Sequence, residues 1–343
     1  MTRGHRIAAF LAAAVLLLAV LFAIVPPDAP GAFWRGSLGT RNAFLSGTLV
    51  RAIPLCLIGV GLAIAFRAGV FNIGGEGQLL LGAVASTLVA LSLGPSLGAA
   101  SIPVGMAAAA IAGAGWAGIA GYLRARFGVL EVISTIMLNF VAMNLVSYAV
   151  RGPLQEPSRI YPQTVTFADA ARLPRLFTDA RLHAGVFAAV IAAGAAWWFL
   201  GRTASGFRLR AAGASPSAAR VSGRLNVARA SLVAMIVSGA LAGLAGGIEV
   251  TGVTYALYEN VSPGYGFSAI AVAVLARLNP LAVIPSALFF AVLETGALGM
   301  QRDAGVPSTF AAVLEATAIL AVVAFHGWFR DAPTDRTRTA AAA

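Results

Sequence analysis

The sequence contains no lysine, so its 24 basic residues are all arginine. A Walker A phosphate-binding loop requires a lysine, and this chain therefore cannot hydrolyse ATP through such a loop. The single cysteine, Cys56, excludes a disulfide within the chain, and the three scattered histidines offer no metal-ligand spacing. We expect that this chain itself binds neither a metal ion nor a cofactor.

Charged residues are also scarce, at 11% of the 343 residues, whereas 59% are hydrophobic. This balance leaves too little polar surface to cover a soluble protein of this size. The formal net charge of +11 would suggest nucleic-acid binding in a soluble protein, but here the arginines lie between apolar runs. The composition predicts a protein that is surrounded by lipid and does not bind nucleic acid.

Apolar runs with few charged residues, long enough to cross about 30 Å of hydrocarbon, recur along the chain. They predict an all-α integral membrane protein with about ten transmembrane helices, near residues 7–25, 49–66, 76–94, 102–122, 131–150, 184–200, 231–252, 265–276, 281–298 and 309–326. The eighth run is short, which leaves nine or eleven helices as alternatives. The first run, at about 19 residues, exceeds the signal-peptide core of about 7–15, so we expect a retained helix.

Arginines in short loops predict the orientation, because such loops stay in the cytoplasm. The loop at about 202–230 has no acidic residue and six arginines: Arg202, Arg208, Arg210, Arg220, Arg224 and Arg229. Placing it in the cytoplasm puts both termini there and leaves the mixed-charge loop at about 151–183 outside. We expect one transmembrane domain over 1–330 and a disordered, polar and alanine-rich tail over 331–343.

Small residues at regular spacing predict where helices approach one another closely. Two glycine stripes meet this pattern. They are Gly239, Gly243 and Gly247 in the seventh predicted helix, and Gly115, Gly118 and Gly121 in the fourth.

A glycine-rich segment surrounds Glu76 at the start of the third predicted helix. The flanking glycines are Gly74, Gly75 and Gly77. At the expected cytoplasmic end of this helix, the helix dipole favours a carboxylate, and Arg67 is close enough in sequence to neutralise it. Glu76, with its neighbours Asn72 and Gln78, either fixes the contacts between helices or lines a polar path through the membrane.

The fifth predicted helix carries Thr135 and Asn139 on one face, at a spacing of four residues, and continues through Asn144. Amides inside a membrane helix are costly unless they bond another helix or face water. Both interpretations stay open. Asn139, near the middle of the membrane, is the better candidate for a polar path.

Within the basic loop, Ser215 and Pro216 predict the start of a short helix, because serine is favoured at the N-cap and proline at the first helical position. Gly213 and Gly223 flank this segment. The local pattern alone favours a surface turn without a function of its own.

Three carboxylates, Glu249, Glu294 and Glu315, are expected in the outer halves of the seventh, ninth and tenth predicted helices. An ion-coupled secondary carrier could use them, which keeps that mechanism as an alternative. The sequence offers neither a nucleophile with a base nor a metal set, and therefore does not indicate an enzyme.

Four segments together resemble permease subunits of the ABC importer group for nucleosides and simple sugars, in the branched-chain-amino-acid and ribose-type permease family. They are Phe71–Ala83 (FNIGGEGQLLLGA), Glu131–Asn139 (EVISTIMLN), Ser238–Gly246 (SGALAGLAG) and Gly266–Pro280 (GFSAIAVAVLARLNP). They occur in family order and span roughly residues 50–300. One departure is Ala276, where glycine is common before Arg277.

The resemblance implies a subunit of a bacterial importer in the cytoplasmic membrane. Its implied partners are a second, non-identical permease subunit, ABC ATPase subunits that bind ATP and Mg²⁺, and an extracytoplasmic solute-binding lipoprotein. The cargo would be a nucleoside or a related small polar solute, with ribose-type sugars as the main alternative. The resemblance also implies an ATPase-coupling contact at Gly213, Ser215, Pro216, Ala218, Ala219 and Arg220.

Overall fold

A computed structural model describes residues 25–221 and 226–307, together with scattered positions between 309 and 321. All regular elements among these residues are helical, since the two isolated β-bridges do not extend into strands. The helices are α1 (Ala29–Ser37), α2 (Leu49–Arg67), α3 (Gly75–Ser92), α4 (Gly94–Leu97), α5 (Ser101–Phe127), α6 (Glu131–Arg151), α7 (Gly185–Arg202), α8 (Ala204–Ala214), α9 (Pro216–Val221), α10 (Val227–Glu249), α11 (Tyr265–Leu275) and α12 (Pro280–Ala304). The all-α prediction is confirmed.

Seven helical stretches in the described part of the chain are long and apolar enough to cross a membrane. They are Ala43–Arg67, Gly75–Ser92, Gly94–Phe127, Glu131–Arg151, Gly185–Arg202, Val227–Thr254 and Pro280–Ala304. Each coincides with a predicted span. The eighth predicted span is the short helix α11, whereas the first lies almost entirely outside the described residues and the tenth lies largely outside them.

The described residues fall into two compact units, of which the larger covers residues 41–291. Helix α2 lies at its centre, because every residue from Ala52 to Ala65 is buried. A helix that is apolar all round has no face for water and belongs inside a bundle. Helices α5, α6 and α7 instead leave large side chains such as Ile111, Phe140 and Ile191 exposed, as expected of surfaces that meet lipid.

Helix α10 packs against α5, α3 and α2, and small residues form these contacts. A Cβ atom added at Gly113 of α5 would lie 2.2 Å from the Gly239 carbonyl oxygen of α10, and one at Gly82 of α3 would lie 2.2 Å from the Gly243 oxygen. The predicted α10 stripe is therefore confirmed. The predicted α5 stripe is confirmed at Gly121, where an added Cβ would lie 2.8 Å from Leu232 Cδ1 of α10, but is wrong at Gly115, where nothing lies within 4 Å. The contact face of α5 runs through Gly113 and Gly121.

One end of this unit collects arginines. Arg124 Nη2 donates to the Gly69 carbonyl oxygen, at 3.2 Å, just beyond the end of α2. The backbone of α8 at Gly213 lies against Arg67, since an added Cβ would be 2.2 Å from the Arg67 oxygen. The ends of α2 and α5 thus share a surface with the basic segment around α8.

The other end carries ion pairs of mixed sign. Arg151 and Glu259 are joined at 2.7 Å, and Arg41 and Asp179 at 2.6 Å. The Arg151 guanidinium holds the pKa of the Glu259 carboxyl well below its usual range, at about 2. The irregular residues 152–184 lie here, and their backbone bonds the segment after α10, as between Thr164 N–H and the Leu257 oxygen (2.9 Å).

The smaller unit contains the described parts of residues 1–40 and 292–343. Helix α1 lies against the second half of α12, where a Cβ at Gly36 would be 2.7 Å from Gly299 Cα. Apolar residues close this contact: Ala29, Ala32, Ala297, Met300, Val306 and Leu314.

Candidate functional site

The chain between α2 and α3 turns back into the interior of the larger unit. A Cβ at Gly75 would lie 3.0 Å from Ile58 Cγ2, in the middle of α2. Ile58 is about 13 Å along the helix axis from Arg67, where α2 ends. Helix α3 therefore begins deep inside the bundle. The prediction that Glu76 lies at a basic membrane surface is wrong, because residues 68–74 return into the bundle before α3 starts.

An amide network holds this returning segment. Asn72 Nδ2 donates to Gln78 Oε1 and to Ser238 Oγ, both at 2.9 Å. Asn72 Oδ1 in turn accepts from Gln78 Nε2 and from the Gly74 N–H, also at 2.9 Å. All three side chains are buried, and their polar groups satisfy one another. The sequence reasoning missed Ser238, which lies within the alanine and glycine run of α10.

Helix α6 clamps the same segment from the other side. Asn139 Nδ2 donates to the Ile73 oxygen (2.9 Å), and Asn139 Oδ1 accepts from the Gly77 N–H (2.8 Å). Thr135 Oγ1 accepts from the Ile73 N–H at 3.3 Å. The predicted common face of Thr135 and Asn139 is confirmed, and the contacts are bonds between elements. Their role in a polar path stays a prediction.

Asn144 does not join this network. Its Nδ2 donates to the Phe140 oxygen of its own helix, at 2.8 Å, and the residue is exposed on α6. The next polar group along this face is Glu131, at the start of α6, which pairs with Arg124 and accepts from the Phe71 N–H at 3.2 Å. The sequence did not predict the contact among Arg124, Glu131 and Phe71, because this contact depends on the return of residues 68–74.

Glu76 receives the start of a second interior helix. The Gly266 N–H, in the first turn of α11, donates to Glu76 Oε2 at 2.8 Å, and the Ser262 side chain hydrogen-bonds the same carboxylate. Glu76 is only 5% exposed. Its partner is therefore not Arg67, as predicted, but the amino end of α11, where the helix dipole stabilises a negative charge.

Helix α11 spans only part of the membrane thickness. Its 11 residues extend about 16 Å, roughly half of a hydrocarbon core of about 30 Å. The irregular residues 255–264 connect it to α10. Helices α3 and α11 thus both begin inside the protein, and this arrangement resembles the discontinuous helices that form sites in membrane transporters.

A polar cleft opens beside the start of α11, at the mixed-charge end. It has a volume of about 490 Å³ and lies between the start of α2, the end of α10 and residues 258–265. Its charged lining residues are Arg51, Arg181 and Glu249. Of these, only Glu249 was singled out from the sequence. Arg51 could have been found, because an arginine inside a membrane helix is a functional candidate in itself.

The predicted helix in the basic loop is confirmed as α9. Ser215 precedes it, and the Ala218 N–H donates to Ser215 Oγ at 3.4 Å, while Pro216 occupies the first helical position. Gly213 and Ala219 face the protein interior, whereas Pro216 and Ala218 are exposed. The Arg220 side chain lies outside the described part. The contact of this helix with an ATPase stays a prediction.

The two other carboxylates that the sequence analysis singled out are Glu294 and Glu315. Glu294 lies in α12, within the smaller unit, and interacts with at least one other residue. Glu315 lies outside the described residues.

Comparison with known proteins gives a family match over most of the chain. A family model described as the permease component of branched-chain amino acid transport systems matches residues 44–325. A glucose ABC transporter permease protein of Haloferax volcanii is 38% identical, over 91% of this chain and 87% of the relative.

Two relatives come from Bacillus subtilis. One guanosine ABC transporter permease protein is 36% identical, over 86% of this chain and 85% of the relative. A second guanosine ABC transporter permease protein of the same organism is 29% identical, over 85% of this chain and 94% of the relative.

Proposed function

The chain belongs to the family of permease components of branched-chain amino acid transport systems, and from this we propose that it forms half of a translocation path for a nucleoside. Membership makes it a multi-pass membrane subunit of an ABC transporter, in which ATP is hydrolysed by separate subunits. We propose in addition that it imports its cargo, that this cargo is a nucleoside, and that it works with the partner chains named below.

The observation that carries the proposal is the match to the guanosine permease over 86% of this chain, at 36% identity. The two Bacillus subtilis relatives also support a pair of non-identical permeases, because one organism has two such guanosine permease proteins. The complete proposed importer adds ABC ATPase subunits, which bind ATP and Mg²⁺, and an extracytoplasmic solute-binding lipoprotein. It resides in the bacterial cytoplasmic membrane.

In the proposed orientation, the arginine-rich end faces the cytoplasm, as the positive-inside rule requires. Helix α9 then meets the ATPase through its exposed Pro216 and Ala218, while Gly213 and Ala219 join it to the rest of the chain. When ATP draws the two ATPase chains together, the movement of α9 is transmitted through Gly213 to the end of α2. Alternating access of this kind needs no chemistry from the permease itself.

A simple sugar is the second candidate cargo, because the Haloferax volcanii relative is a glucose permease at 38% identity. Nucleosides and sugars share hydroxyl groups and lack a net charge. The base is the feature that separates them, so transport assays must include solutes with and without a base.

The test is uptake of radiolabelled guanosine, uridine, ribose and glucose in cells with and without this gene, each repeated with the partner ATPase inactivated. We expect nucleoside uptake to depend on both the gene and the ATPase. If only sugar uptake is lost, the cargo is a simple sugar and not a nucleoside. Uptake that persists without the ATPase, but stops with an uncoupler, would instead support the ion-coupled carrier.

A further inference from the structure

The polar cleft beside α11 contains a buried carboxylate that no described residue satisfies. Glu249, at the end of α10, lines the cleft and is only 5% exposed. Within the described part of the chain, nothing donates a hydrogen bond to it. Because Glu249 lines the cleft, its oxygens are open to a molecule bound there, which can complete their hydrogen bonding. A carboxylate is an acceptor only, so the missing partner must donate.

Two arginines set the charge of this cleft. Arg51 and Arg181 both act electrostatically on the Glu249 carboxylate. Arg181 is fixed in place, since its Nη2 donates to the Val253 oxygen (3.1 Å) and its backbone N–H donates to Ser46 Oγ (2.9 Å). The cleft thus presents charged groups of both signs, which suit a solute with several hydrogen-bonding groups.

Two further side chains provide an unused polar and aromatic surface. Tyr258 and Asn260 line the cleft, and neither side chain makes a hydrogen bond to any described residue. Burial beside Glu249 raises the pKa of the Tyr258 hydroxyl, which therefore stays a donor. A tyrosine ring offers a flat face for another ring, and an amide offers both donors and acceptors.

We infer that this cleft is the cargo-binding site within the permease, and that it takes a neutral solute with a ring and adjacent hydroxyl groups. Glu249 accepts hydrogen bonds from the hydroxyl pair and Tyr258 contacts the ring, while the exposed Asn260 lies beside the solute without a required contact. Its volume of about 490 Å³ lies within the range of small-molecule sites, roughly 300–1,000 Å³. The inference rests on the proposed function, because it assumes that the permease transports such a solute.

Cargo protection of an engineered cysteine tests the site in the assembled transporter. Asn260 is exposed in the cleft, so Asn260→Cys should react with a maleimide, and the native Cys56 is buried. We expect guanosine to slow this reaction in the absence of the solute-binding lipoprotein. Ser158→Cys is the matched control, because Ser158 is exposed at the same end but outside the cleft. Guanosine should not change its labelling.

Two comparisons then examine the role of Glu249. In the Asn260→Cys background, Glu249→Gln should raise the guanosine concentration needed for protection by about tenfold or more, because the amide keeps one acceptor oxygen but loses the negative charge and the second acceptor. In the unaltered Glu249 background, 2′,3′-dideoxyguanosine should protect as poorly. Tyr258→Leu provides an independent variant, since the Tyr258 side chain makes no hydrogen bond to the described residues.

Each outcome separates the site from the proposed function. If the transporter imports guanosine but guanosine leaves Asn260→Cys labelling unchanged, the inferred site is wrong. If labelling slows only when the solute-binding lipoprotein is present, with or without cargo, the cleft is a contact surface for that protein. This outcome would also overturn the inference. If wild-type transporter imports none of the four solutes, the proposed function fails first.

Discussion

At the scale of single residues, asparagine side chains form the hydrogen bonds that irregular backbone cannot form within a helix. Residues 68–74 are irregular, and inside a membrane their N–H and carbonyl groups must be satisfied by protein. Asn72 and Asn139 together bond the Gly74 N–H, the Gly77 N–H and the Ile73 oxygen. Two amides thus stabilise a chain segment that would otherwise leave polar backbone groups exposed to an apolar interior.

The first prediction concerns Asn72→Ala, which removes bonds to Gln78, Ser238 and Gly74 at once. We expect it to lower the free energy of unfolding by about 1–3 kcal/mol, because buried polar partners are left unsatisfied. Thermal unfolding of the purified chain in detergent measures this loss. Asn144→Ala is the matched control, because Asn144 is exposed and bonds only its own helix at Phe140. Equal losses for both variants would contradict the importance of the network.

The second prediction uses two glycines of α5. A Cβ at Gly113 would lie 2.2 Å from a backbone oxygen of α10, whereas one at Gly115 meets nothing within 4 Å. Gly113→Ala should therefore destabilise the protein by about 1–3 kcal/mol through overpacking. Gly115→Ala should be neutral or stabilising by up to about 1 kcal/mol, since alanine is the better helix former. Thermal unfolding of both variants distinguishes this register from the predicted stripe, which would reverse their order.

At the scale of elements, two helices that begin inside the protein organise the interior. Helix α3 starts with Glu76 in its first turn, and α11 starts with Gly266 bonded to that carboxylate. A Cβ at Gly266 would lie 2.1 Å from the Glu76 nitrogen, so the two helix starts are in backbone contact. The negative charge of Glu76 lies where the dipole of α11 is positive, and one residue joins both elements.

The third prediction separates the charge of Glu76 from its hydrogen bond. Glu76→Gln keeps an oxygen for the Gly266 N–H, whereas Glu76→Ala removes the acceptor. We expect Glu76→Ala to cost about 2–3 kcal/mol of unfolding free energy and Glu76→Gln about 1 kcal/mol. Thermal unfolding gives the order. A Glu76→Gln variant as unstable as Glu76→Ala would show that the charge alone matters.

The fourth prediction concerns α9 as a coupling element. Ala218 is exposed on this short helix, whereas Ala219 is buried. Ala218→Glu should leave the chain folded but abolish cargo-stimulated ATP hydrolysis, because a charge enters the proposed ATPase contact. Ala218→Ser is the conservative control and should keep the activity. Normal ATP hydrolysis and uptake in Ala218→Glu would remove α9 from the contact.

At the scale of the whole molecule, the sequence predicts features that depend on local composition and misses those that depend on distant contacts. Seven of the ten predicted spans coincide with long apolar helices in the described part of the chain, because length and hydropathy are local properties. The return of residues 68–74 is hidden, since the partners that hold it come from α6 and α10. The bond between Glu76 and Gly266 joins residues 190 positions apart. The polar cleft likewise exists only once three distant segments meet.

The fifth prediction is the orientation of the larger unit, which decides whether α9 can meet a cytoplasmic ATPase. Ser158 and Ser205 are both exposed, at the opposite ends of the single span α7, and the buried Cys56 is the only native thiol. We expect a membrane-impermeant maleimide to label Ser158→Cys in intact cells, but Ser205→Cys only after permeabilisation. Because α7 alone separates the two sites, equal labelling would mean that it does not cross the membrane. The reverse pattern would place α9 outside the cell, away from ATP, and would rule out coupling through this helix.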